Sequence, residues 1–460
     1  MLLPALKVPL VAIGLPFLIA AVWLAWKSVA YPLALSGIPS LLDAIVGSDP
    51  LPKGGVTFLL GAWIGLAVMF TIMRGESATA ARALRRAPVI LSLWLLGLML
   101  LRLGASAGEP YGSMKVQLYI ADDLLFMLGA VFVGSRKSDL RLFLLLMLGI
   151  TSAGALLLLD QLLSGSARAT VGERFSLSAQ EYPIQLARSS ADGLMIAIYM
   201  ILAARKASLR LWAVAMVPVL VVSMLAAGSR GPVLAFFFGL IALIALTAAG
   251  GRARRRLLQV AGGMLVAALI VPIVIPGSAA GRALSTILGG SQGLSSNGRS
   301  HLWSLALTAF SQHPLLGIGT GGFAVLSTEL YPHNILLEAA AELGLLGAIV
   351  VVGIIVSSLR RLIEAWRTAP GLEKLDAVVL IALFLSALGN ALFSGAIQNN
   401  QEVWIWAGLG LGMSTRLATS AVKVTPRRSG RALAWGLAGG PLLGGLAGPR
   451  HNRTRAFRAR

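Results

Sequence analysis

Cysteine is absent from this 460-residue sequence, and histidine is scarce. The absence of cysteine excludes disulfide bonds, thiolate nucleophiles and cysteine-based metal sites. Acid or base chemistry must therefore rest on a carboxylate or on one of the four histidines, which are His301, His313, His333 and His451.

Charged residues are also scarce: they make up 12% of the chain, whereas hydrophobic residues make up 57%. The apolar residues form runs that a soluble protein could neither solvate nor bury in one core. The first run, at about 8–26, is too long for the core of a signal peptide, and no small-residue cleavage site follows it. We therefore predict an integral membrane protein in which this run is the first membrane span.

Apolar stretches of about 20 residues predict an all-α integral membrane protein with about 12 transmembrane helices. They lie at about 8–26, 56–73, 87–103, 117–134, 140–160, 184–204, 208–227, 232–249, 257–275, 343–359, 376–395 and 403–419.

The predicted topology explains most of the net charge of +21. If both termini are inside, most Lys and Arg residues fall in the inner segments, as the positive-inside rule requires. The charge therefore predicts no nucleic-acid partner. It leaves the arginines on the outer side as the ones that need another explanation.

The spans divide the chain into four parts. Helices 1–9 occupy residues 1–275, with an outer loop at about 161–183. A large outer loop with short helical patterns of its own covers 276–342, and helices 10–12 occupy 343–420. The basic tail 421–460 is predicted to be a disordered inner segment, because its many glycines lose much entropy on forming a helix.

A tight outer turn, "AAGSRGP" at residues 226–232, joins the seventh and eighth spans. Gly228 and Gly231 permit the turn, and Pro232 suits the first position of a helix. Arg230 then lies at the outer membrane surface, where the positive-inside rule does not expect it. Two interpretations are open: Arg230 either contacts lipid phosphate as a snorkelling side chain or recognises a substrate phosphate in a bidentate manner.

The large outer loop contains "SSNGRSHLWSLALTAFSQHPLLGIGTGGF", residues 295–323. Apolar residues at helical spacing predict an interfacial amphipathic helix that has Asn297 as its N-cap and stops at His313. Arg299 falls in the first turn of this helix, near the water boundary. The glycine run lacks the Lys-Ser/Thr ending of a nucleotide-binding loop, and we expect it to allow a tight backbone path instead.

The stretch "YPHNILLEAAAELGLLG" closes the same loop. Pro332 suits the start of a helix and puts His333 and Asn334 in its first turn. Free backbone N–H groups and the positive end of the helix dipole favour an anion there and disfavour imidazolium, so His333 is predicted to be a neutral base beside an anion. Glu338 and Glu342 are expected either to be solvated or to pair with an outer arginine.

Residues 174–190 contribute two more outer basic groups, Arg174 and Arg188. Asp122 and Asp123 lie near the outer end of the fourth span, where carboxylates are either functional or simply at the headgroup boundary. The outer segments show no paired-carboxylate metal motif and no G-x-S-x-G hydrolase elbow. We therefore expect no metal and no other cofactor.

In combination, "SRG" in the outer turn, "NGRSHLWSLALTAFSQHPLLGIGTGGF" and "YPHNILLEAAAELGLLG" resemble the O-antigen ligase and polymerase superfamily. The motif-bearing part covers about 228–347, and the layout of spans agrees over most of the chain. The resemblance implies a transferase with a lipid-linked oligosaccharide donor. In the ligase case, a glycan moves from undecaprenyl pyrophosphate to a sugar hydroxyl of lipid A-core, on the periplasmic face of the bacterial inner membrane.

The resemblance also implies roles for individual residues. Arg230 and Arg299 would take part in catalysis by binding the donor pyrophosphate, and His333 would be the base for the acceptor hydroxyl. Guanidinium groups and a helix N-terminus can stabilise a leaving pyrophosphate, so such a transferase requires no metal. Looser matches are further donor ligands at Arg174 and Arg188 and supporting residues at Asn334 and Glu338.

Two other functions stay open at this point. A polymerase would use the same donor to extend a glycan on the lipid carrier, although "RFSLSAQEYP" departs from the pattern common in polymerases and favours a ligase. A transporter or flippase also fits the number of spans. Transporters usually place their binding groups near the membrane midplane, however, whereas the polar groups here gather on the outer side.

Overall fold

The computed structural model of the chain describes most of the predicted membrane spans. The described residues are 18–35, 55–106, 109–165, 168–170, 174–176, 183–247, 251, 255, 257–264, 266 and 299–424. The predicted helix cap at Asn297, the tail from 425 onward and residues 276–298 of the large outer loop lie outside them.

The described residues are mainly helical, and the chain is an all-α integral membrane protein, as predicted. A π-helical turn, Tyr119–Leu124, joins α6 to α7. In chain order the helices are α1 (Leu18–Lys27), α2 (Ala30–Leu35), α3 (Gly55–Met73), α4 (Ala78–Leu84), α5 (Ala87–Leu103), α6 (Glu109–Leu118), α7 (Leu125–Gly134), α8 (Lys137–Leu163), α9 (Pro183–Ala203), α10 (Ala207–Ala226), α11 (Arg230–Thr247), α12 (Arg299–Gln312), α13 (Ile335–Thr368), α14 (Glu373–Ser394) and α15 (Gln401–Val424).

Within this described part, 8 helices are long and apolar enough to cross a membrane, or 9 if the bent pair α4 and α5 forms one span. The predicted first and ninth spans are described only in part. The twelfth lies on α15, which is not among the eight. The total number of spans therefore stays a prediction.

A short antiparallel β-hairpin lies within the predicted outer loop 161–183. Strand β1 (Arg168–Thr170) pairs with β2 (Arg174–Ser176), with Ala169 opposite Phe175. Phe175 packs on a small apolar cluster at the ends of α8, α9 and α10. The hairpin thus covers one end of these three helices.

Helices α9 and α14 form the inside of the bundle, and both are buried over most of their length. Helix α14 packs against α11, and α9 packs against α8, α10 and α14. Where α11 crosses α14, a Cβ on Gly239 would lie 2.4 Å from the carbonyl oxygen of Ala382. Such close backbone approach supports helix association in lipid, where the hydrophobic effect contributes little.

Helix α1 runs in a direction that the sequence did not predict. Trp63 Nε1 on α3 donates to the carbonyl of Ala21 at 2.9 Å, and the rings of Trp26 and Phe70 lie 5.2 Å apart. The later residue of α1 contacts the later residue of α3, so the two helices are parallel. Consecutive membrane spans joined by a short loop should instead be antiparallel. The predicted first and second spans therefore do not alternate in direction. After α1 the chain turns back, and α2 packs against α3, α7 and α8.

Candidate active site

Several predicted site residues converge on the C-terminal end of α14. This helix ends at Ser394, and the last carbonyl groups of a helix have no partner within it. Asn334 Nδ2 donates to the carbonyl of Leu392 at 3.0 Å, and Arg299 Nη1 donates to that of Phe393 at 2.6 Å. The negative end of the α14 dipole favours both contacts.

Arg188, on α9, binds the same helix end from inside the bundle. Its Nη2 atom donates to the carbonyl and the hydroxyl of Ser394 at 3.2 and 3.1 Å, and Nη1 donates to the carbonyl of Asn399 at 3.3 Å. Nη1 is also 3.7 Å from a carboxylate oxygen of Glu402. Because Arg188 is only 2% exposed, this geometry suits a residue that holds the site together rather than one that contacts a donor.

Arg230 begins α11 and is half-buried. The next residue, Gly231, faces α14: a Cβ at that position would lie 3.7 Å from Ser394 Oγ. The start of α11 therefore abuts the end of α14, close to Arg299 and Asn334. Arg174 is described only through its backbone in β2, where it pairs with Thr170.

His333 lies beside this helix end in a left-handed backbone conformation, with φ at 58°. Its ring lies 4.6 Å from that of Tyr331 in an edge-to-face arrangement, and its Nε2 atom lies 3.7 Å from Glu329 Oε2. Burial lowers the pKa of His333 below its ordinary value, the charge of Arg299 lowers it further, and Glu329 and the backbone of Ser394 act in the opposite direction. This direction favours a neutral imidazole at pH 7, and its main cause is burial rather than the predicted helix dipole.

The helix that follows His333 starts later than predicted. Helix α13 begins at Ile335, and Asn334 is its N-cap, with an extended backbone and a side-chain oxygen that accepts from the N–H groups of Leu336 and Leu337, both at 3.0 Å. The prediction that His333 and Asn334 form the first turn is therefore wrong, because asparagine is among the best N-cap residues. These two amides are engaged by Asn334, and the positive charge that acts on His333 comes from Arg299.

Glu338 and Glu342 are neither solvated nor, among the described residues, paired with an outer arginine. Both are fully buried and share the ammonium group of Lys115, on α6. Glu338 Oε2 also accepts the N–H of Ile397 at 2.7 Å, and Glu342 Oε2 accepts that of Gly321 at 2.9 Å. Helical spacing showed that the two carboxylates share a face, but only the packing shows what covers it. The cluster ties the start of α13 to three other segments.

The glycine run 317–322 forms a tight backbone path beside a break in α13. Gly344 interrupts this helix, with φ at 68° and ψ at −159°. The N–H of Ile318 donates to the carbonyl of Ala341 at 2.9 Å, and a Cβ on Gly344 would lie 2.4 Å from the backbone of Leu315. The expected role of these glycines is confirmed. The break separates the short piece that follows His333 from the long membrane span.

The sequence analysis missed the outer connection, which we define as residues 395–400 between α14 and α15. Asn399 Nδ2 donates to the hydroxyl of Tyr331 at 3.1 Å, and Gln398 Nε2 donates to that of Tyr111 at 2.8 Å. The connection therefore supports the segment that carries His333. A signal was present, since the run of amides at 398–401 is unusual between two membrane spans.

Asp122 and Asp123 lie in the π-helical turn and are buried inside the bundle, which disfavours direct contact with lipid head groups. Neither carboxyl oxygen of Asp123 has a hydrogen-bond partner among the described residues. Turns of the π type are frequent at functional sites. The geometry around His333 assigns no role to these two residues.

Comparison with known proteins supports the resemblance seen in the motifs. Residues 215–352 match a protein-family model described as O-antigen ligase. This segment includes Arg230, Arg299 and His333. No curated protein matches the chain.

The matched segment thus contains the start of α11, the start of α12 and the break in α13, whereas Arg188 and the end of α14 lie outside it. The family indicates an enzyme of the glycosyltransferase or ligase type, and the helices indicate a multi-pass membrane protein. Over residues 215–352 the chain is therefore similar to the O-antigen ligase family.

Proposed function

We propose that this protein transfers an O-antigen-type glycan from undecaprenyl pyrophosphate to a sugar hydroxyl of lipid A-core. The observation that carries the proposal is the convergence of Arg230, Arg299 and His333 on the end of α14. A pyrophosphate ester and a hydroxyl are the substrates that such a group of cations and a neutral imidazole would serve.

The two arginines suit the donor. Arg299 is held by the carbonyl of Phe393, which fixes its direction without adding a full negative charge. Arg230 is at the first position of α11, where the positive end of the helix dipole adds to its own charge. Groups arranged in advance around a leaving pyrophosphate stabilise its developing charge with little reorganisation.

His333 suits the acceptor. In the proposed step, the acceptor hydroxyl oxygen attacks the anomeric carbon while His333 takes the hydroxyl proton. The bond between the anomeric carbon and the pyrophosphate oxygen breaks, and its electron pair leaves with the pyrophosphate. One direct displacement inverts the anomeric configuration; a trapped glycosyl-enzyme intermediate would contradict it.

The structure changes the proposed role of two residues. Arg188 is enclosed by Ser394 and Asn399, so we propose that it positions the end of α14 rather than touching the donor. Glu338 supports the site through Lys115 and Ile397 instead of facing solvent. Arg174 stays a candidate donor ligand.

The test is transfer in vitro by the purified full-length protein, with a polyprenyl-pyrophosphate glycan as donor and a defined core oligosaccharide lipid as acceptor. His333→Ala should lower turnover about 10²–10⁴-fold, the usual contribution of a general base, while donor binding is retained. His313→Ala is the matched control because His313 is exposed at the end of α12. Undiminished transfer by His333→Ala would disprove the catalytic role.

The same assay distinguishes a ligase from a polymerase. A ligase product carries the glycan on the core acceptor, whereas a polymerase lengthens the glycan on the polyprenyl carrier and ignores the core. In a deletion strain, a bare core with long glycan still on the carrier indicates a ligase. Single unpolymerised units indicate a polymerase.

A further inference from the structure

Helix α13 carries an exposed stripe that extends beyond the site. Past the break at Gly344, the exposed residues Leu345, Ile349, Val352 and Val356 recur every three or four positions, with exposures of 45%, 57%, 44% and 40%. Residues so spaced lie on one face of a helix. This apolar stripe therefore faces lipid along the membrane-spanning part of α13.

Residues at the same spacing line a basic cavity at the C-terminal end of α13. Arg360, Ile363 and Arg367 continue the series after Val356. The cavity measures about 450 Å³ and is lined by Arg360, Ile363, Glu364, Arg367 and Thr368. It lies at the end of α13 that the positive-inside rule assigns to the inner face.

The charge of this cavity is not neutralised within the described residues. Glu364, its one carboxylate, lies 2.7 Å from Arg361 Nη1. Arg360 and Arg367 are exposed, and the described part of the chain offers neither of them a hydrogen-bond or ion-pair partner. Two exposed guanidinium groups beside an apolar stripe suit an amphiphile with an anionic head.

A second copy of the chain is a less suitable occupant. The stripe has the spacing of a coiled-coil seam, in which each residue of a symmetric pair packs near its own counterpart. Two copies in one membrane share their orientation, so Arg360 and Arg367 would meet the same residues of the partner. Like charges repel in such a seam, whereas a phosphate group would bind both arginines.

We propose that α13 binds an anionic phospholipid, with its phosphate head group at Arg360 and Arg367 and an acyl chain along Leu345 to Val356. The site is separate from the site at His333 and does not depend on the transfer reaction. It provides a second lipid contact on the helix that follows the proposed base.

The experiment measures lipid retention by the full-length protein in detergent, using native mass spectrometry with phosphatidylglycerol and phosphatidylcholine as probes. The wild type should retain phosphatidylglycerol preferentially. Arg360→Gln with Arg367→Gln should weaken that retention about tenfold or more, the range expected for lost charge-assisted hydrogen bonds. The matched control is Arg85→Gln with Arg86→Gln, which removes the same charge from exposed residues at the same predicted face.

Three outcomes would overturn the proposal. Equal retention of phosphatidylglycerol and phosphatidylcholine would show that the site is an apolar surface that does not recognise an anionic head group. An equal loss in the Arg85 and Arg86 control would reduce the effect to bulk positive charge. A dimer that dissociates on Val352→Glu would assign the stripe to a second copy. Unchanged thermal unfolding of the variants confirms that each result concerns binding.

Discussion

Basic side chains at the two ends of the helix bundle have different partners. At the end predicted to be inner, Lys137 and Arg416 each lie 2.7 Å from a carboxylate oxygen of Glu373. Arg141 pairs with Asp376 at 3.2 Å in the same region. Two carboxylates thus pair with three cations, and these ion pairs join α8, α14 and α15.

At the end that carries His333, the main partners are backbone carbonyls. Arg299 donates to Phe393, and Arg188 donates to Ser394 and Asn399. A carbonyl at a helix end carries only a partial charge, so it orients a guanidinium without cancelling its charge. For the cations named here, the partner at the predicted inner end is a carboxylate, whereas carbonyls at a helix end hold the arginines near His333.

Lys115, like Arg188, has a carboxylate partner at this end, and its removal should have the largest effect on stability. Lys115→Met leaves Glu338 and Glu342 buried without a counter-charge. Breaking a buried ion pair in this way typically costs about 3–5 kcal/mol. Thermal unfolding of the purified protein measures the loss. Lys115→Met with Glu342→Gln restores the wild-type charge of the cluster and should unfold later than the single variant; equal unfolding temperatures would contradict the charge argument.

Variants of Arg299 and Arg416 test the comparison between the two ends of the bundle directly. Arg299→Gln removes a guanidinium that a carbonyl orients at the end carrying His333, and should weaken donor binding about 10–100-fold, as expected for lost hydrogen bonds from a charged group. Arg416→Gln removes a guanidinium that pairs with Glu373 at the opposite end, and should leave the donor KM unchanged. Steady-state transfer kinetics with varied donor measure both. The division between the two ends fails if the two variants weaken donor binding equally.

Variants of Asn334 test whether the end of the bundle that carries His333 tolerates an added carboxylate. Asn334→Ala removes the cap of α13 and should cost about 1 kcal/mol in thermal unfolding. Asn334→Asp keeps an oxygen for the N–H groups of Leu336 and Leu337 but loses the donor to Leu392 and adds negative charge. It should keep more stability than the alanine variant yet bind the donor less well. Normal donor binding in Asn334→Asp would argue against the need for uncancelled positive charge.

The pH dependence of transfer should show the smallest effect. Because burial and Arg299 lower the pKa of His333, the neutral base persists below its ordinary pKa of about 6.5, and the rate falls only as pH drops through the lowered value. Arg299→Gln should move this acid limb to higher pH, and Glu329→Gln should move it to lower pH. Identical limbs in both variants would exclude His333 as the titrating base.

The lowered pKa of His333 also makes the stability of the folded state depend on pH. Since the folded state disfavours imidazolium at His333, the unfolded chain binds a proton more readily below about pH 6.5. This contribution to stability is complete above that pH and is lost as pH falls toward the folded pKa.

The sequence by itself determined the membrane class, the approximate helices and the motifs that contain Arg230, Arg299 and His333. Long apolar runs predict helices because lipid offers no other partner for backbone polar groups. The turn at Arg230 and the start of α12 near Arg299 follow from local residue preferences. The position of α13 was also predicted, although Asn334 moved its start past His333.

Only the tertiary structure decided which of these residues meet. Arg188 and Ser394 are 206 positions apart, and Lys115 and Glu338 are 223 apart. Local spacing shows which side chains share a face, but the helix that covers the face depends on packing across the whole bundle. For that reason the outer connection, the buried cluster at Lys115 and the parallel course of α1 appeared only in the folded chain. The residues near His333 were visible in the sequence, whereas the helix end that gathers them was not.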